Sequence, residues 1–435
     1  MSLAQTMEKI PQQRWLRIIP PVVLVYIFSN MDRANIGITI AGGMNEALGM
    51  TAAIAGLAAG IFSVGYLVLQ IPGGHVAAKY SAKKYITGAI VAFGLVASCT
   101  GFVTSSWQLV ALRFILGVAE GGTFPAILVL ISNWFPNEER ARANGFFIMS
   151  NSLAYIITGP LSGWIVSTFG WRHVFFIEGG LTVLLVLLWW PLIEDRPEHA
   201  RWLSAAERDY LVSRLKEEQG RVETGRSYRE VLSNRNLWKL AAIYFCYQSG
   251  IASFGIWLPT IIRTLTKSGM TAVGFLSGVP FLAAMIGVYI FAARSDRTGN
   301  RRLYAGLPGL GFAVCLVLST QFQGMIWVSY AFLICCGFFQ QAHIGAFWSI
   351  PPLLFPKEIA GGARGIVNGI GNLGGFMGVY VFGLFVTHVH SANMGRYALS
   401  FFLLMAFLLS FTLPAAIART KAVGGESGRQ RASRA

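Results

Sequence analysis

Charged residues are scarce in this sequence. Asp, Glu, Lys and Arg together make up 12% of the 435 residues, whereas hydrophobic residues make up 54%. Soluble domains usually carry about 25% charged residues, because their surfaces must be solvated. The shortage therefore excludes a soluble multidomain protein and predicts a polytopic membrane protein, with the lipid bilayer as its surroundings.

Cysteine is also rare, with five residues, and all five lie in apolar helical runs without metal-ligand spacing. This pattern excludes a disulfide framework and a cysteine-based metal or redox site. The sequence also carries no nucleotide-binding fingerprint and no nucleophile with a base at a meaningful spacing. We therefore predict that the protein is not an enzyme, holds no cofactor or metal, and draws its energy from an ion gradient.

Acidic residues are outnumbered, 19 against 35 basic ones, which gives a formal net charge of +16. The basic residues do not form the patterned face that nucleic-acid binding requires. Arg172, Arg263, Lys267 and Arg396 fall in short loops that we assign to the outside, and Arg33 and Arg113 fall inside apolar runs. All the others lie in segments assigned to the cytoplasm, as the positive-inside rule expects. We therefore expect the cell inner membrane, both termini in the cytoplasm and no nucleic-acid partner.

Long apolar runs separated by polar breaks predict twelve membrane-spanning helices. Each run is long enough to cross a hydrocarbon core of about 30 Å. The predicted spans are 18–41, 51–78, 84–104, 107–133, 142–168, 171–193, 237–263, 270–293, 302–320, 325–355, 363–388 and 393–418. The first run is too long for a signal peptide and lacks a cleavage site, so we expect it to remain as the first helix.

These spans divide the chain into five regions. We predict a cytoplasmic N-terminal tail at 1–17, a six-helix bundle at 18–193, a linker at 194–236, a second six-helix bundle at 237–418 and a basic cytoplasmic tail at 419–435. Ser204 followed by Glu207 predicts a capping box, and therefore a surface helix, within the linker. The predicted fold class is an all-α membrane protein with two six-helix halves.

The two halves repeat one another at a short basic loop. GHVAAKYSAKK (Gly74 to Lys84) follows the second span, and AARSDRTGNRR (Ala292 to Arg302) follows the eighth. Each has a cationic residue at its sixth position and two more at its tenth and eleventh. A duplicated parallel repeat, with a substrate cavity between the halves, is therefore predicted. The residues predicted to form gating loops are Gly74, Lys79, Lys83, Asp296, Arg297 and Arg301.

Four ionisable residues interrupt the apolar runs of the first half. Asp32 and Arg33 lie within SNMDRANIG (Ser29 to Gly37), and Arg113 and Glu120 lie on the fourth span. An Asp or Arg at the centre of a membrane helix costs about 2.5–3.5 kcal/mol, so such residues usually serve a function. Arg113 and Glu120 are seven residues apart, which puts them on nearly the same face about 10 Å from each other. The alternative is that these charges only fasten the helices together.

Several motifs resemble those of the major facilitator superfamily, and in particular its anion:cation symporter family. They are SNMDRANIG, QIPGG (Gln70 to Gly74), RFILGVAEGGTFPA (Arg113 to Ala126), NWFPNEERARANG (Asn133 to Gly145), GIWLPTII (Gly255 to Ile262) and VNGIGNLGGFMGVY (Val367 to Tyr380). The resemblance covers almost the whole chain and implies the major facilitator fold. The sequence departs from the pattern at Ala78, where the first basic loop lacks its acidic residue, at Ser81, which replaces a glycine, and at Val379, which replaces a proline.

The resemblance also implies roles for the charged residues. Asp32 is expected to face Arg113, and Arg33 to face the cavity and Glu120, as in sugar-acid transporters of this family. Arg33 is expected to bind the substrate carboxylate, because its planar guanidinium forms paired hydrogen bonds and keeps its charge. Asp32 and Glu120 are expected to carry protons and Arg113 to tune them, since burial and a nearby guanidinium act oppositely on a carboxylate's affinity for a proton.

Further polar side chains in apolar helices are candidates for substrate contacts. They are Tyr66, Asn151, Tyr244, Tyr247, Gln248, Gln341, His343, Trp348, Asn368 and Asn372. The resemblance favours Tyr66, Asn151, Trp348 and Asn368 among them. Small polar residues also join membrane helices, and a single membrane histidine such as His343 is often a hydrogen-bonded core residue. Glu178, near the outer end of the sixth span, is predicted to be an interfacial or structural carboxylate.

Together these features predict a secondary active transporter that takes up an organic carboxylate, such as a sugar acid, with protons by alternating access. Na⁺ is the alternative coupling ion, and a small dicarboxylate or an aromatic acid is the alternative substrate. GPLSG (Gly159 to Gly163) resembles a signature frequent in antiporters, so an organic-anion exchanger or exporter is the nearest alternative function. A sensor or a channel would need a signalling domain or a continuous polar pore, and neither is visible in the sequence. We expect a monomer.

Overall fold

The structure, a computed structural model, describes residues 13–219, 232–322, 324–355 and 357–414. Every regular element within these ranges is helical. The basic C-terminal tail predicted at 419–435, the first part of the N-terminal tail and residues 220–231 of the linker lie outside the described residues.

Each of the twelve predicted spans corresponds to a helix or to a helix with a short break. In the first half they are α1 Gln13–Thr39, α2 Ala52–Lys79, α3 Ala82–Thr100, α4 Ser106–Glu120 continued by Thr123–Trp134, α5 Asn137–Phe169, and α6 Trp171–Leu184 continued by Val186–Leu192. In the second half they are α7 Arg235–Thr266, α8 Met270–Thr298, α9 Arg301–Gln321, α10 Ile326–Gln340 continued by Ile344–Trp348 and Pro351–Leu354, α11 Lys357–Val389 and α12 Ala392–Ser410. The predicted all-α membrane fold is confirmed.

Three of the twelve helices are more polar than a lipid-facing span. Among the described residues, nine helices are long and apolar enough to cross a membrane, and α1, α5 and α7 are not in that group. In α1 the cause is visible, because Asn30, Asp32 and Asn35 interrupt the span and are at most 2% exposed. A membrane helix tolerates such groups when they face protein instead of lipid. The polar residues of α1 therefore face protein, and α1, α5 and α7 together carry many of the predicted site residues.

Contacts between helices divide the chain into two compact units. One comprises Met1–Glu223 with Ser268–Phe275, and the other comprises Thr224–Lys267 with Leu276–Ala435. Inside the first unit α1 packs against α5, α2 against α4 and α3 against α6. Inside the second unit α7 packs against α11 and α9 against α12, while α8 crosses α10 at Gly287 and Gly337. The same order of helix pairs in each unit agrees with the predicted repeat.

A buried arginine at the start of α1 attaches the linker to the first unit. Arg14 is 2% exposed and donates to Glu139 at 2.7 Å and 2.8 Å, and to Glu207 at 2.5 Å. Glu207 lies on the linker helix Ala205–Gln219, where the sequence predicts a surface helix. The Ser204 hydroxyl accepts from the Glu207 amide at 3.3 Å, so half of the predicted capping box forms. The other half does not form among the described residues, because the Glu207 carboxylate turns to Arg14 through Oε1 and its Oε2 has no partner.

We predict that Arg14→Ala lowers the free energy of unfolding by about 3 kcal/mol or more, because it leaves the buried Glu207 carboxylate without a cation. The midpoint of thermal unfolding in detergent measures this. Arg214→Ala is the matched control, since Arg214 pairs with Glu138 and Glu217 through side chains that are all exposed. Exposed pairs contribute little, so the control should unfold like the unmodified protein. Equal midpoints for both variants would contradict a structural role for the buried group.

Candidate transport site

The charged residues of the first unit are brought together by a close crossing of α2 and α4. A Cβ added at Gly117 would overlap the backbone carbonyl of Phe62, and one added at Gly65 would overlap that of Phe114. Small residues at a crossing let two membrane helices approach until their backbones touch. The crossing places Phe62 and Tyr66 of α2 beside the α4 segment that carries both of its ionisable residues.

Arg33 and Glu120 form an ion pair that joins α1 to α4. The Arg33 Nε donates to Glu120 Oε1 at 2.8 Å, Nη2 donates to the same oxygen, and so does the Ser29 hydroxyl. The Glu120 side chain is fully buried, whereas 24% of the Arg33 side chain is exposed. The second carboxylate oxygen, Oε2, is buried and has no hydrogen-bond partner among the described residues. The predicted pairing of Arg33 with Glu120 is present, and the guanidinium is the more accessible member.

Aromatic rings surround the two arginines. The Arg33 guanidinium lies 4.6 Å from the centre of the Tyr66 ring and 5.0 Å from that of Phe62. The Arg113 guanidinium lies 5.0 Å from the Phe62 ring, so this ring contacts both cations. Desolvated contacts between a cation and an aromatic face contribute about 2 kcal/mol. Tyr66, a predicted substrate residue, is 5% exposed and therefore helps to position Arg33.

Asp32 and Arg113 lie close to each other without a direct ion pair. Arg113 Nη1 donates to the backbone carbonyl of Asp32 at 2.9 Å, and these two described side chains form no ion pair. The Asp32 Oδ1 accepts from Asn35 Nδ2 at a long 3.4 Å, while Oδ2 is buried without a partner in the described part of the chain. The two side chains nevertheless interact electrostatically, and Asp32 is the largest charge acting on Arg113. The expected approach of Asp32 to Arg113 is therefore present, with a hydrogen bond to the backbone in place of a direct ion pair.

Glu178 is a third buried carboxylate beside Asp32 and Glu120 in the first unit. Glu178 on α6 is fully buried, and its Oε2 accepts from Asn35 Nδ2 at 2.9 Å. Its Oε1 accepts from the Ser162 hydroxyl of α5. Asn35 lies three residues after Asp32, and this helical spacing could have indicated that Asn35 shares a face of α1 with Asp32. Glu178 is buried and therefore not interfacial, and no pattern in the sequence around it predicts this burial.

Asn151 lies half-buried on α5. Within the described ranges its amide makes no hydrogen bond to the charged residues. Tyr155, one turn further along α5, interacts electrostatically with Arg33 and Glu120. Its spacing of four residues from Asn151 puts both on one face of α5. Tyr155 is thus a site residue that the sequence prediction omitted.

In the second unit, Tyr247 and His343 form a closed stack. Their rings are 3.8 Å apart and nearly parallel, and both residues are 0% exposed. The Tyr247 hydroxyl donates to the backbone carbonyls of Ala305 and Gly306, and accepts from the Gly309 amide at 2.8 Å. This hydroxyl joins α7 to α9 and is occupied by backbone groups, so the structure gives Tyr247 a packing role in place of the predicted substrate contact. His343 is a core residue beside it, but neither of its ring nitrogens has a hydrogen-bond partner among the described residues, so the hydrogen-bonded core histidine of the alternative is only half matched.

Tyr244 packs against Trp348, another predicted substrate residue of the second unit. Its ring stacks on Phe347 at 5.3 Å and meets Trp348 edge-on at 5.0 Å. A side chain at Gly371 would overlap the Tyr244 ring, so this glycine lets α7 approach α11 closely. The structure thereby brings Tyr244 and Trp348 to the stretch of α11 that carries the two predicted asparagines. Trp348, Asn368, Asn372, Gln248 and Gln341 are all half-buried.

The two basic loops are stabilised differently. In the first, Lys83 pairs with Glu194 at 3.4 Å, and Asp195 accepts from the Lys83 amide at 2.8 Å and from the Ser81 hydroxyl. The loop that lacks an acidic residue at Ala78 thus receives two carboxylates from the segment that follows α6. In the second loop, Asp296 pairs with Arg301 at 3.5 Å. The other loop candidates are Gly74, which lies against Pro125, and the exposed Lys79 and Arg297.

Comparison with known proteins identifies the family. A model described as Major Facilitator Superfamily matches residues 22–379. The chain belongs to the Major Facilitator Superfamily. It is therefore a multi-pass membrane transporter and not an enzyme.

Relatives of this transporter fit the same assignment. A proposed tartrate transporter of Agrobacterium vitis is 33% identical over 92% of this chain and 93% of its own length. A quinolone resistance transporter of Acinetobacter baumannii is 29% identical over 93% and 95%. Among solved structures, a bacterial homolog of the human lysosomal transporter Spinster superposes with a TM-score of 0.75 at 15% identity, covering 96% of this chain and 100% of that one. At that identity the likeness concerns the fold alone.

We predict that Gly117→Ala destabilises this transporter by about 1–3 kcal/mol, because the added methyl group forces α4 away from Phe62. Gly88→Ala on α3 is the matched control, since a Cβ there meets nothing within 4 Å. An alanine in an open helical position is favoured over glycine by up to about 1 kcal/mol. Thermal unfolding in detergent should therefore fall for Gly117→Ala and stay level or rise for Gly88→Ala. A loss of stability in both variants would show that the crossing is not the cause.

Proposed function

We propose that this transporter takes up an organic carboxylate together with protons by alternating access. The observation that carries the proposal is the Arg33–Glu120 pair, in which a fully buried carboxylate holds a guanidinium that is 24% exposed. A guanidinium forms paired hydrogen bonds with a carboxylate and keeps its charge at any physiological pH. Arg33 is therefore suited to exchange its partner in the protein, the Glu120 carboxylate, for the carboxylate of a bound substrate.

Charge balance supplies a reason for coupling. Asp32, Glu120, Arg33 and Arg113 are two acids and two bases in one buried region, so their charges cancel when all are ionised. A proton added to Glu120 leaves one positive charge in excess and breaks the pair with Arg33. A net charge in a low-dielectric interior is costly, and a substrate anion on Arg33 removes it. Proton and anion then load together, which is the requirement for symport.

The chemistry of the surroundings and of the relatives supports a carboxylate substrate. Within the first unit, the partly exposed Arg33 guanidinium lies against the ring of Tyr66. A guanidinium beside an aromatic ring suits the carboxylate of an organic acid. The relative from Agrobacterium vitis is named for tartrate, a hydroxylated dicarboxylate. We therefore place sugar acids and hydroxylated diacids first among the substrate candidates.

An organic-anion exchanger or exporter on the same fold is the second candidate. The Acinetobacter baumannii relative is named for quinolone resistance. In this chain Gly163 of the antiporter-like GPLSG segment packs against the backbone of Met270 and Gly274 at the start of α8. A carrier of that kind would exchange its substrate without needing a pH gradient.

We predict that Asp32→Asn abolishes proton-driven accumulation and retains substrate exchange, because the amide keeps the shape of the carboxyl group and cannot bind a proton. In proteoliposomes, uptake against a substrate gradient under an inward proton gradient should fall at least tenfold. Counterflow at equal pH should stay within about threefold of the unmodified protein. Unchanged accumulation would contradict proton coupling through Asp32, and replacement of the proton gradient by a sodium gradient tests the alternative ion.

Arg33 can be tested separately from the proton sites. Tartrate, a sugar acid and an aromatic acid are added to the detergent-purified protein, and thermal stabilisation by each is measured. We expect the hydroxylated acids to stabilise the unmodified protein, Arg33→Lys to weaken their binding about tenfold or more, and Arg33→Ala to abolish it, since only arginine offers a planar pair of donors. Arg172→Lys, where the side chain donates to the backbone carbonyl of Val103 and lies over the Trp171 ring, is the control. Full binding by Arg33→Ala would remove Arg33 from the substrate site.

A further inference from the structure

Glu178 is a buried acid that the proposed proton cycle does not use. Its side chain is 0% exposed and receives two hydrogen bonds, one from Asn35 Nδ2 at 2.9 Å and one from the Ser162 hydroxyl. Among the described residues no cation lies within ion-pair distance of it. An ionised carboxylate without a cation is expensive in a membrane interior, whereas a protonated carboxyl group is not.

The two donors suit both protonation states of the acid. A serine hydroxyl donates to an ionised carboxylate and turns to accept from a protonated one, so the Ser162 contact survives the change. The Asn35 amide has two hydrogens on Nδ2, of which one points to Glu178 and the other to Asp32 Oδ1 at 3.4 Å. One amide group therefore links two carboxyl groups on different helices. Asp32 is 1% exposed, and its second oxygen, Oδ2, is buried without a hydrogen-bond partner in the described ranges.

The charged and titratable neighbours come from the helices packed around α6. From α1 these are Asp32, linked through Asn35, and Arg33, which is held by Glu120. From α4, Arg113 is directed to the backbone of Asp32. On the side of α3, Ser98 and Gly94 pack against Gly179, and α5 brings the Ser162 hydroxyl to Glu178. Asp32 is therefore the acidic group that Glu178 influences most directly.

We propose that Glu178, with Asn35 and Ser162, forms a second proton-binding site that sets the pH at which Asp32 takes up its proton. The proposal rests on the proton-coupled transport proposed above. Two nearby carboxyl groups that share one donor do not ionise together without a penalty. When Glu178 is ionised it holds the proton on Asp32, and when Glu178 is protonated it lets Asp32 ionise. The pair therefore responds to pH over a wider range than one carboxyl group does.

The pH profile of uptake by Glu178→Gln tests this. Glutamine keeps the size of the side chain and a carbonyl oxygen for Asn35, and it cannot ionise. Without the second negative charge Asp32 releases its proton more readily, so the midpoint of uptake against pH should move by about one unit toward acid. Counterflow at a pH below both midpoints should stay within about twofold. A profile that coincides with that of the unmodified protein would overturn the proposal.

Glu46→Gln is the matched control. Glu46 lies in the short helix Asn45–Ala47 and is exposed, so its loss removes a carboxylate of the same unit without touching the buried link. Its profile should coincide with that of the unmodified protein. A role in packing alone would lower the stability of Glu178→Gln and leave its midpoint in place, and Glu178→Asp, which still ionises, should keep a midpoint closer to the original. A normal Asp32→Asn result with an unshifted Glu178→Gln profile rejects this inference and leaves proton coupling intact.

Infrared spectroscopy of the unmodified protein covers the case in which Glu178→Gln does not fold. A protonated carboxyl group gives a carbonyl stretching band that responds to its hydrogen bonds. Ser162→Ala removes the hydroxyl from Glu178 and leaves the acid in place, so it should shift one such band and raise the pH at which that band disappears. If no carboxyl band differs between Ser162→Ala and the unmodified protein at any pH, Glu178 does not bind a proton and the inference is wrong.

Discussion

Charge balance inside a low-dielectric interior is the constraint on which the first unit depends. An unpaired arginine or carboxylate in the middle of a membrane costs several kcal/mol, so each must find a partner or lose its charge. Glu120 meets this requirement through Arg33, and Arg113 meets part of it through a backbone carbonyl of α1. Two features stabilise this arrangement. The close glycine crossing of α2 and α4 brings the Phe62 ring to the arginines, and the polar face of α1 brings hydrogen-bond donors to the carboxylates.

The same constraint explains how much could be read from the sequence. The spans follow from apolar run length, and the Arg33–Glu120 contact was implied by the resemblance to sugar-acid transporters. The hydrogen bond from Arg113 to the backbone of α1 did not follow, because a backbone carbonyl is available at every residue and leaves no sequence signal when it accepts from an arginine. Tyr247 shows the same limit, since its hydroxyl bonds to the backbone of α9 while its residue type suggests a ligand contact.

The burial of a side chain inside the unit was the other property that the spacing of residues in the sequence could not predict. Glu178 lies near the end of a hydrophobic segment, where a carboxylate usually reaches the interface, yet it is fully buried against Asn35 and Ser162. The burial of Glu178 depends on how α5 and α6 pack against α1, and no local sequence pattern predicts that packing. The first basic loop is a similar case, because the carboxylates that stabilise it come from Glu194 and Asp195, more than a hundred residues further along the chain.

The two buried glutamates differ in what a proton does to them. At Glu120 a proton breaks an ion pair and leaves the Arg33 guanidinium, already partly exposed, without its counter-ion. At Glu178 it only exchanges one hydrogen-bonding role of Ser162 for another, since no cation is released. We infer that the first event can alter affinity for an anion and that the second can act on substrate only through Asp32. Glu120 has a cation beside it, and Glu178 has none among the described residues. We therefore expect Glu120 to control the anion site and Glu178 to control the pH at which protons bind.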